Sequence, residues 1–111
     1  MRIILSPQRR DENFTVIKAG DKLTVMGEEF DFSPIGNGDV LPASAVSSMW
    51  FLDKIERVEG ELVLTLLFPN PLNYSPEQAF PVDLVNVPDG PVAFPQSLPD
   101  VSDATQQEVQ A

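Results

Sequence analysis

The densest group of side chains that could do chemistry is the acidic cluster Glu28, Glu29 and Asp31. Paired carboxylates can act as general acids and bases, or bind a hard cation such as Mg²⁺ or Ca²⁺. However, Glu29 and Asp31 alternate with Phe30 and Phe32, which is the pattern of a strand with one wet face and one buried face. We interpret the cluster as a solvated strand face, with metal binding or catalysis as the alternative.

A second candidate for cation binding is the run Gly36-Asn37-Gly38-Asp39. An EF-hand calcium loop needs acidic residues at several fixed positions and a bidentate glutamate at the twelfth. Counted from either Asn37 or Asp39, these positions are not filled. The run therefore predicts an ordinary loop built from turn-forming residues.

The chain contains no histidine and no cysteine. Disulfides, thiol catalysis, zinc–thiolate sites and a Ser-His-Asp triad are therefore excluded within this chain. An enzyme with this composition would have to use carboxylates, most simply with a metal ion. We predict no catalytic residue, no metal site and no cofactor, and we keep a metal-dependent carboxylate enzyme as the least favoured hypothesis.

The charge balance is strongly acidic, with 7 Lys and Arg against 17 Asp and Glu and a net charge of −10. Nucleic acids and anionic membranes bind clustered basic side chains. The only basic pair, Arg9-Arg10, is followed at once by Asp11-Glu12. We predict that neither nucleic acid nor membrane is a partner.

Large aromatic side chains provide the candidate protein interface. Trp50 and Phe51 are adjacent, and Tyr74 and Phe80 follow later in the chain. Aromatic side chains anchor many protein–protein interfaces. The alternative is that they pack in the core beneath a loop.

Alternating and continuous apolar runs predict a mainly β protein with at most one or two short helices. The most informative run, residues 55–68, gives two strands joined at Glu59-Gly60, the second of them apolar on both faces. Arg57 is predicted to pair with Glu61 across this hairpin. The predicted strands are residues 2–5 (stopped by Ser6-Pro7), 13–18, 22–26, 29–32, 55–58, 62–68 and 82–87, with a further edge at 92–94.

Residues 33–45 and 88–91 are predicted as a loop and a turn, because proline and glycine punctuate them. Residues 43–50 predict a short helix or a strand entering at 50–52. Ser75 and Pro76 predict a helix over residues 76–80. Together these elements give one domain of two antiparallel meanders over residues 1–95, arranged as a sandwich or a small barrel. Residues 96–111 predict a polar, acidic, disordered tail.

The only apolar stretch near the start of the sequence, residues 3–5, is too short for the core of a signal peptide. No segment approaches the length of a membrane span. These observations predict a protein of the cytoplasm.

Several short segments resemble a largely uncharacterised family of small proteins encoded by tailed phages and prophages. The segments are ILSPQRRD, FDFSPI, ELVLTLLFPNP, SPEQAFP and DGPVAFP, within residues 2–95. Genes of this family tend to lie among structural and tail-module genes. The resemblance implies a setting, the host cytoplasm or the virion, and supplies no functional residue.

The sequence therefore leads to a non-enzymatic, phage-encoded protein that acts through protein–protein contacts in virion or tail structure or assembly. The expected partner is a phage structural protein, and the oligomeric state stays open. The alternative is an acidic inhibitor that mimics nucleic acid and occupies a host DNA-binding protein.

Overall fold

The computed structural model describes residues 1–98 and confirms the predicted mainly β fold class. Two four-stranded sheets, with strand orders β1-β7-β6-β5 and β4-β3-β2-β8, share one hydrophobic core. The strands are β1 (Arg2–Arg9), β2 (Val16–Ala19), β3 (Lys22–Val25), β4 (Glu28–Asp31), β5 (Val40–Pro42), β6 (Phe51–Val58), β7 (Glu61–Asn70) and β8 (Gly90–Pro91). A 3₁₀ turn covers Ala43–Ala45, and a short helix, α1, covers Pro76–Ala79.

Tight turns set the register of the antiparallel pairs. β3 and β4 are joined by Met26-Gly27, and β6 and β7 are joined by Glu59-Gly60. All four turn residues have positive φ, the geometry of the two-residue hairpins whose twist matches the flanking strands. The predicted β2-β3-β4 meander and the predicted β6-β7 hairpin both form.

We call the β1-β7-β6-β5 sheet, which contains the three longest strands, the larger sheet. β7 lies inside it, between β1 and β6, as its apolar sequence predicts. Its buried side chains Leu62, Leu64 and Leu66 are at most 2% exposed. β6 pairs with β7 in the antiparallel sense, whereas β1 pairs with it in parallel over eight residues, from Arg2 opposite Val63 to Arg9 opposite Asn70.

The prediction that β1 stops at Ser6-Pro7 was wrong, because β1 continues to Arg9. Ile3 exchanges both backbone hydrogen bonds with Leu84, which lies on the side of β1 away from β7. Since backbone direction alternates along a strand, Pro7 faces that same outer edge. Its missing N–H therefore costs no ladder hydrogen bond.

The end of β7 was also predicted too short, because β7 runs through Pro69 to Asn70. The Leu67 N–H donates to the Trp50 carbonyl, so odd-numbered residues here face β6. β6 begins at Phe51, so pairing on that side has ended when the chain reaches Pro69.

Three other elements differ from the prediction. β5 lies within the predicted loop over residues 33–45. Residues 82–87 form no strand, although Leu84 bridges to Ile3. The predicted turn over residues 88–91 contains β8, whose Gly90-Pro91 pairs with β2.

The two sheets face each other across side chains from both layers, so the arrangement is a sandwich of two sheets. The larger sheet contributes Ile3, Leu5, Phe51, Ile55, Leu62, Leu64 and Leu66 to the core, and the smaller sheet contributes Val16, Leu23 and Val25.

Arg57 joins the two sheets, which corrects its predicted pairing with Glu61. Its Nη2 donates to the Asp21 carboxylate at 3.0 Å, in the turn between β2 and β3. Its Nε donates to the Ile35 carbonyl, and its Nη1 donates to the Gly60 carbonyl at 3.1 Å. One mostly buried guanidinium thus fixes a hairpin, a turn and a loop.

The helix α1 is held by a capping box, as Ser75 and Pro76 predict. The Gln78 N–H donates to Ser75 Oγ at 3.2 Å, and the Ser75 N–H donates to Gln78 Oε1 at 3.0 Å. Both residues are buried. The box therefore fixes how the chain enters the helix.

We expect Ser75→Ala to lower the free energy of unfolding by about 1 kcal/mol, because the Gln78 N–H loses the Ser75 hydroxyl as an acceptor and keeps only the Ser75 carbonyl. Urea denaturation followed by circular dichroism measures this difference. Ser44→Ala, at an exposed position in the 3₁₀ turn, is the control and should change stability by less than about 0.5 kcal/mol. Equal stability of the two variants would contradict the role of the cap.

The predicted tail falls mostly on residues 99–111, which lie outside the described residues. Its first residues are described: Leu98 exchanges two hydrogen bonds with Asn73, one with the Asn73 backbone and one with its side chain. The chain therefore leaves the described domain beside α1.

Candidate protein-binding surfaces

Phe51, one of the four predicted interface residues, lies in the core and is 3% exposed. Its ring packs edge-on against Phe30 and Phe32, with centroids 4.9 and 5.4 Å away. It is therefore not available as a contact residue. Phe51 packs beneath Phe30, which lies in β4, and beneath Phe32, which follows β4.

Trp50 is half-buried in the turn before β6 and packs against the same hydrophobic core as Phe51. Its ring lies 5.3 Å from the Phe14 ring, and the Arg10 guanidinium lies 5.6 Å from its centre. Two hydrogen bonds to Glu12 hold Arg10 in place, and they lower the pKa of the Glu12 carboxyl. Trp50 is thus a covered side chain within an aromatic cluster.

Tyr74 and Phe80, the other two predicted residues, are exposed on either side of α1. Phe80 is 84% exposed, and Leu72 and Val82 are each 80% exposed. We call Leu72, Tyr74, Phe80 and Val82 the α1 surface. Leu98 adds a further exposed apolar side chain, because its hydrogen bonds place it beside Asn73.

Of the four predicted interface residues, Phe51 is buried, Trp50 is half-buried, and Tyr74 and Phe80 are exposed. The structure adds Leu72 and Val82 to the exposed pair. Leu72 was missed because it stands alone among prolines, outside any periodic apolar run. Val82 was missed because it was assigned to the predicted strand over residues 82–87, which does not form. The signal that could have found them is the length of this proline-rich stretch, in which no strand is long enough to bury them.

A small pocket of about 230 Å³ opens beside the α1 surface, lined in part by Tyr74, Arg9 and Asn70. The Asn70 amide donates through Nδ2 to the Gln78 carbonyl at 2.7 Å. Its Oδ1 is buried and accepts no hydrogen bond from residues 1–98. Such an acceptor is commonly satisfied by an ordered water molecule.

A larger groove of about 540 Å³ runs between β4 and β5, the edge strands of the two different sheets. We call it the β4 groove. Its apolar lining comes from Phe30, Phe32, Ile35, Leu41 and Val46, all of which pack against the core. Its charged lining residues are Glu29, Asp31 and Asp39, and no lysine or arginine lines it.

Two of these carboxylates are held in place by backbone N–H groups. Asp31 accepts from the Ser33 N–H at 2.9 Å, and Asp39 accepts from the Gly36 N–H at 2.9 Å. The hydrogen bonds from Ser33, with a smaller contribution from Lys22 across the β3–β4 pair, lower the pKa of Asp31. The Asp31 carboxylate therefore stays charged in mildly acidic solution.

Most basic side chains are already paired with acids elsewhere. Within residues 1–98, ion pairs engage Arg2, Arg9, Arg10, Lys18, Lys54 and Arg57. None of these pairs uses Glu29, Asp31 or Asp39. The negative charge at the β4 groove is thus compensated only by Lys22, across the strand pair from Asp31.

The described residues contain no group of three or more acidic side chains placed to hold a metal ion together. The sequence offered a metal site at Glu28, Glu29 and Asp31 as an alternative. These three carboxylates do not form a group that could hold a metal ion. None of the helices within residues 1–98 combines the length and the apolar character that crossing a membrane requires.

Comparisons of this chain with protein-family models, with curated proteins and with solved structures found no match.

Proposed function

We propose that the chain is a non-enzymatic phage or prophage protein that acts in virion or tail structure or assembly through protein–protein contacts. The resemblance to small tailed-phage proteins supplies the setting. The observation that supports a binding role is the α1 surface, where Leu72, Phe80 and Val82 are each at least 80% exposed within a short stretch of chain. On this proposal the protein is made in the host cytoplasm and meets a phage structural protein there.

Single exposed apolar residues are common on any protein, but several large ones close together point to an interaction site. Several hydrogen bonds hold the backbone of the α1 surface: the Leu98–Asn73 pair and the Ser75–Gln78 capping box lie between Leu72 and Phe80, and the Phe80 N–H donates to the Pro76 carbonyl. A rigid apolar surface loses little entropy on binding. Phe80 and Tyr74 supply the aromatic anchors typical of binding hot spots.

The occupant we propose is a different protein and not a second copy of this chain. At a net charge of −10, two copies repel each other. A different protein is free of this constraint, because it does not have to carry the same negative charge. Gel filtration of the purified protein at low salt should accordingly show a monomer.

The test is affinity capture of the tagged protein from cells in which the phage carrying the gene is being produced. We expect the wild-type chain to capture a virion or tail protein, identified by mass spectrometry. The double variant Phe80→Ser, Val82→Ser should recover at least about tenfold less of it, because two apolar anchors are lost.

The matched control is the double variant Ile17→Ser, Val58→Ser, which removes exposed apolar side chains from β2 and β6. It should capture the virion protein as well as the wild type does. Capture of no virion protein by the wild type would contradict the proposal, and so would equal loss in both double variants.

The second candidate function is the acidic mimic of nucleic acid, and the net charge of −10 is the observation that favours it. Such a mimic needs carboxylates on one face. The carboxylates without an ion pair within residues 1–98 come from elements of both sheets, the turns and α1, which makes this the weaker candidate. Capture of a host DNA-binding protein, unaffected by the Phe80 and Val82 changes, would favour the mimic.

A further inference from the structure

We propose that the β4 groove binds an extended segment of a partner protein in which basic and apolar residues alternate, and that the segment adds a strand to β4. This site is distinct from the α1 surface. It uses other residues, and its partner is defined by different chemistry.

β4 has a free backbone edge. Within residues 1–98, β4 is hydrogen-bonded to β3 on one side only. The Phe32 N–H donates to the Asp21 backbone carbonyl, and Glu28 pairs with Val25 at the tight β3–β4 turn. Glu28, Phe30 and Phe32 therefore direct their backbone groups toward β3. Alternation then directs the backbone N–H and carbonyl groups of Glu29 and Asp31 into the groove.

The other sheet edges are poor templates for strand addition. β1 has Pro7 on its outer side and is bridged by Leu84 at Ile3. β5 has three residues and ends in Pro42, and β8 consists of Gly90 and Pro91. Proline and short length both protect an edge from pairing. β4 is also short, with four residues, but it contains no proline, so its main protection is its charges.

The β4 groove places different chemistry on the two faces of an added strand. One face would rest on an apolar floor that includes Phe30, Ile35 and Leu41. The floor is firm, because Phe51 packs beneath Phe30 and Phe32. The other face would lie beside the exposed carboxylates of Glu29 and Asp31. Opposite charges on neighbouring strands attract, whereas like charges repel.

This combination selects the occupant. A second copy of the chain would bring its own Glu29 and Asp31 against those of the first, which is unfavourable. A segment of alternating lysine or arginine and valine, isoleucine or leucine places apolar side chains on the floor and basic ones at the rim. Strand addition with pockets for alternate side chains is an established mode of peptide recognition.

The experiment is isothermal titration calorimetry with a capped heptapeptide that alternates lysine and valine, followed by amide NMR shifts on ¹⁵N-labelled protein. We expect saturable binding, with the largest shifts at Glu29, Asp31 and the groove lining. The double variant Glu29→Lys, Asp31→Lys should weaken binding at least about tenfold, because two cross-strand attractions become repulsions.

Three controls isolate the parts of the proposal. Glu59→Lys, Glu77→Lys applies the same charge change at exposed positions outside the groove, and it should alter affinity by less than about threefold, through long-range charge alone. A peptide with its lysines and valines in separate blocks tests the alternation. A peptide N-methylated at alternate amides tests the backbone hydrogen bonds, and both peptides should bind at least about tenfold more weakly.

The proposal is overturned by any of four results: no binding, binding that both charge-reversal variants weaken equally, equal affinity for the block or N-methylated peptide, or dimerisation of the protein through β4. The double variant Phe80→Ser, Val82→Ser should bind the peptide normally. If the α1 surface captured no virion protein, peptide binding at the β4 groove would therefore be unaffected.

Discussion

Leu64→Ala lowers the free energy of unfolding by about 3–4 kcal/mol, the cost of removing a fully enclosed side chain whose surroundings relax only in part. Leu64 is 0% exposed at the centre of β7, between β1 and β6. A domain of this size is typically stable by only about 5–15 kcal/mol. Urea denaturation at 25 °C should show a much lower midpoint with an unchanged slope.

Val58→Ala is the control for this prediction, because Val58 is 48% exposed at the end of β6. Its loss should cost less than about 0.5 kcal/mol. A Leu64 variant as stable as the Val58 variant would show that β7 is not the centre of the core.

Arg57→Ala gives the second large effect, a loss of about 2–3 kcal/mol, because its hydrogen bonds to Ile35, Gly60 and Asp21 disappear together. The substitution should also change the environment of the β4 groove, because Arg57 holds the Ile35 carbonyl and Ile35 lines the groove. Thermal denaturation measures the loss of stability, and amide NMR shifts around Ile35 measure the change at the groove.

Arg57→Lys is the matched variant. It keeps the charge but lacks the planar fork that serves several acceptors at once. We expect a loss between that of the alanine variant and zero. If Arg57→Ala changed stability by less than about 0.5 kcal/mol, the guanidinium would be an incidental surface contact.

The parts of the fold that local sequence determines were predictable. The alternation of Phe30 and Phe32 with Glu29 and Asp31 gave the two faces of β4. The Glu59-Gly60 turn and the double-sided apolar run after it gave the central hairpin. Ser75 and Pro76 gave the start of α1. Each of these depends on neighbours within a few residues.

The parts that depend on distant pairing were not predictable. Pro7 reads as a strand breaker, and only the parallel pairing of β1 with β7 shows that it faces an open edge. Arg57 was assigned to Glu61 because Glu61 is close in sequence, whereas Asp21 becomes its neighbour only when the two sheets pack together.

The candidate surfaces follow the same division. Phe51 and Trp50 are aromatic neighbours, so their sequence suggested one interface, but Phe51 is enclosed in the core and Trp50 is half-buried against Phe14. Tyr74 and Phe80 were predicted because aromatic side chains anchor many interfaces, and both are exposed. The β4 groove was not found, because its two walls belong to different sheets and no local pattern connects β4 with β5.

The most direct measurement of the central proposal is site-specific photo-cross-linking from position 80 during phage production. A photoreactive phenylalanine analogue replaces Phe80, and the same analogue at Ile17 serves as the control. We expect a cross-link from position 80, but not from position 17, to one identified virion or tail protein. A cross-link to a second copy of this chain, to a host protein alone, or to nothing would contradict it.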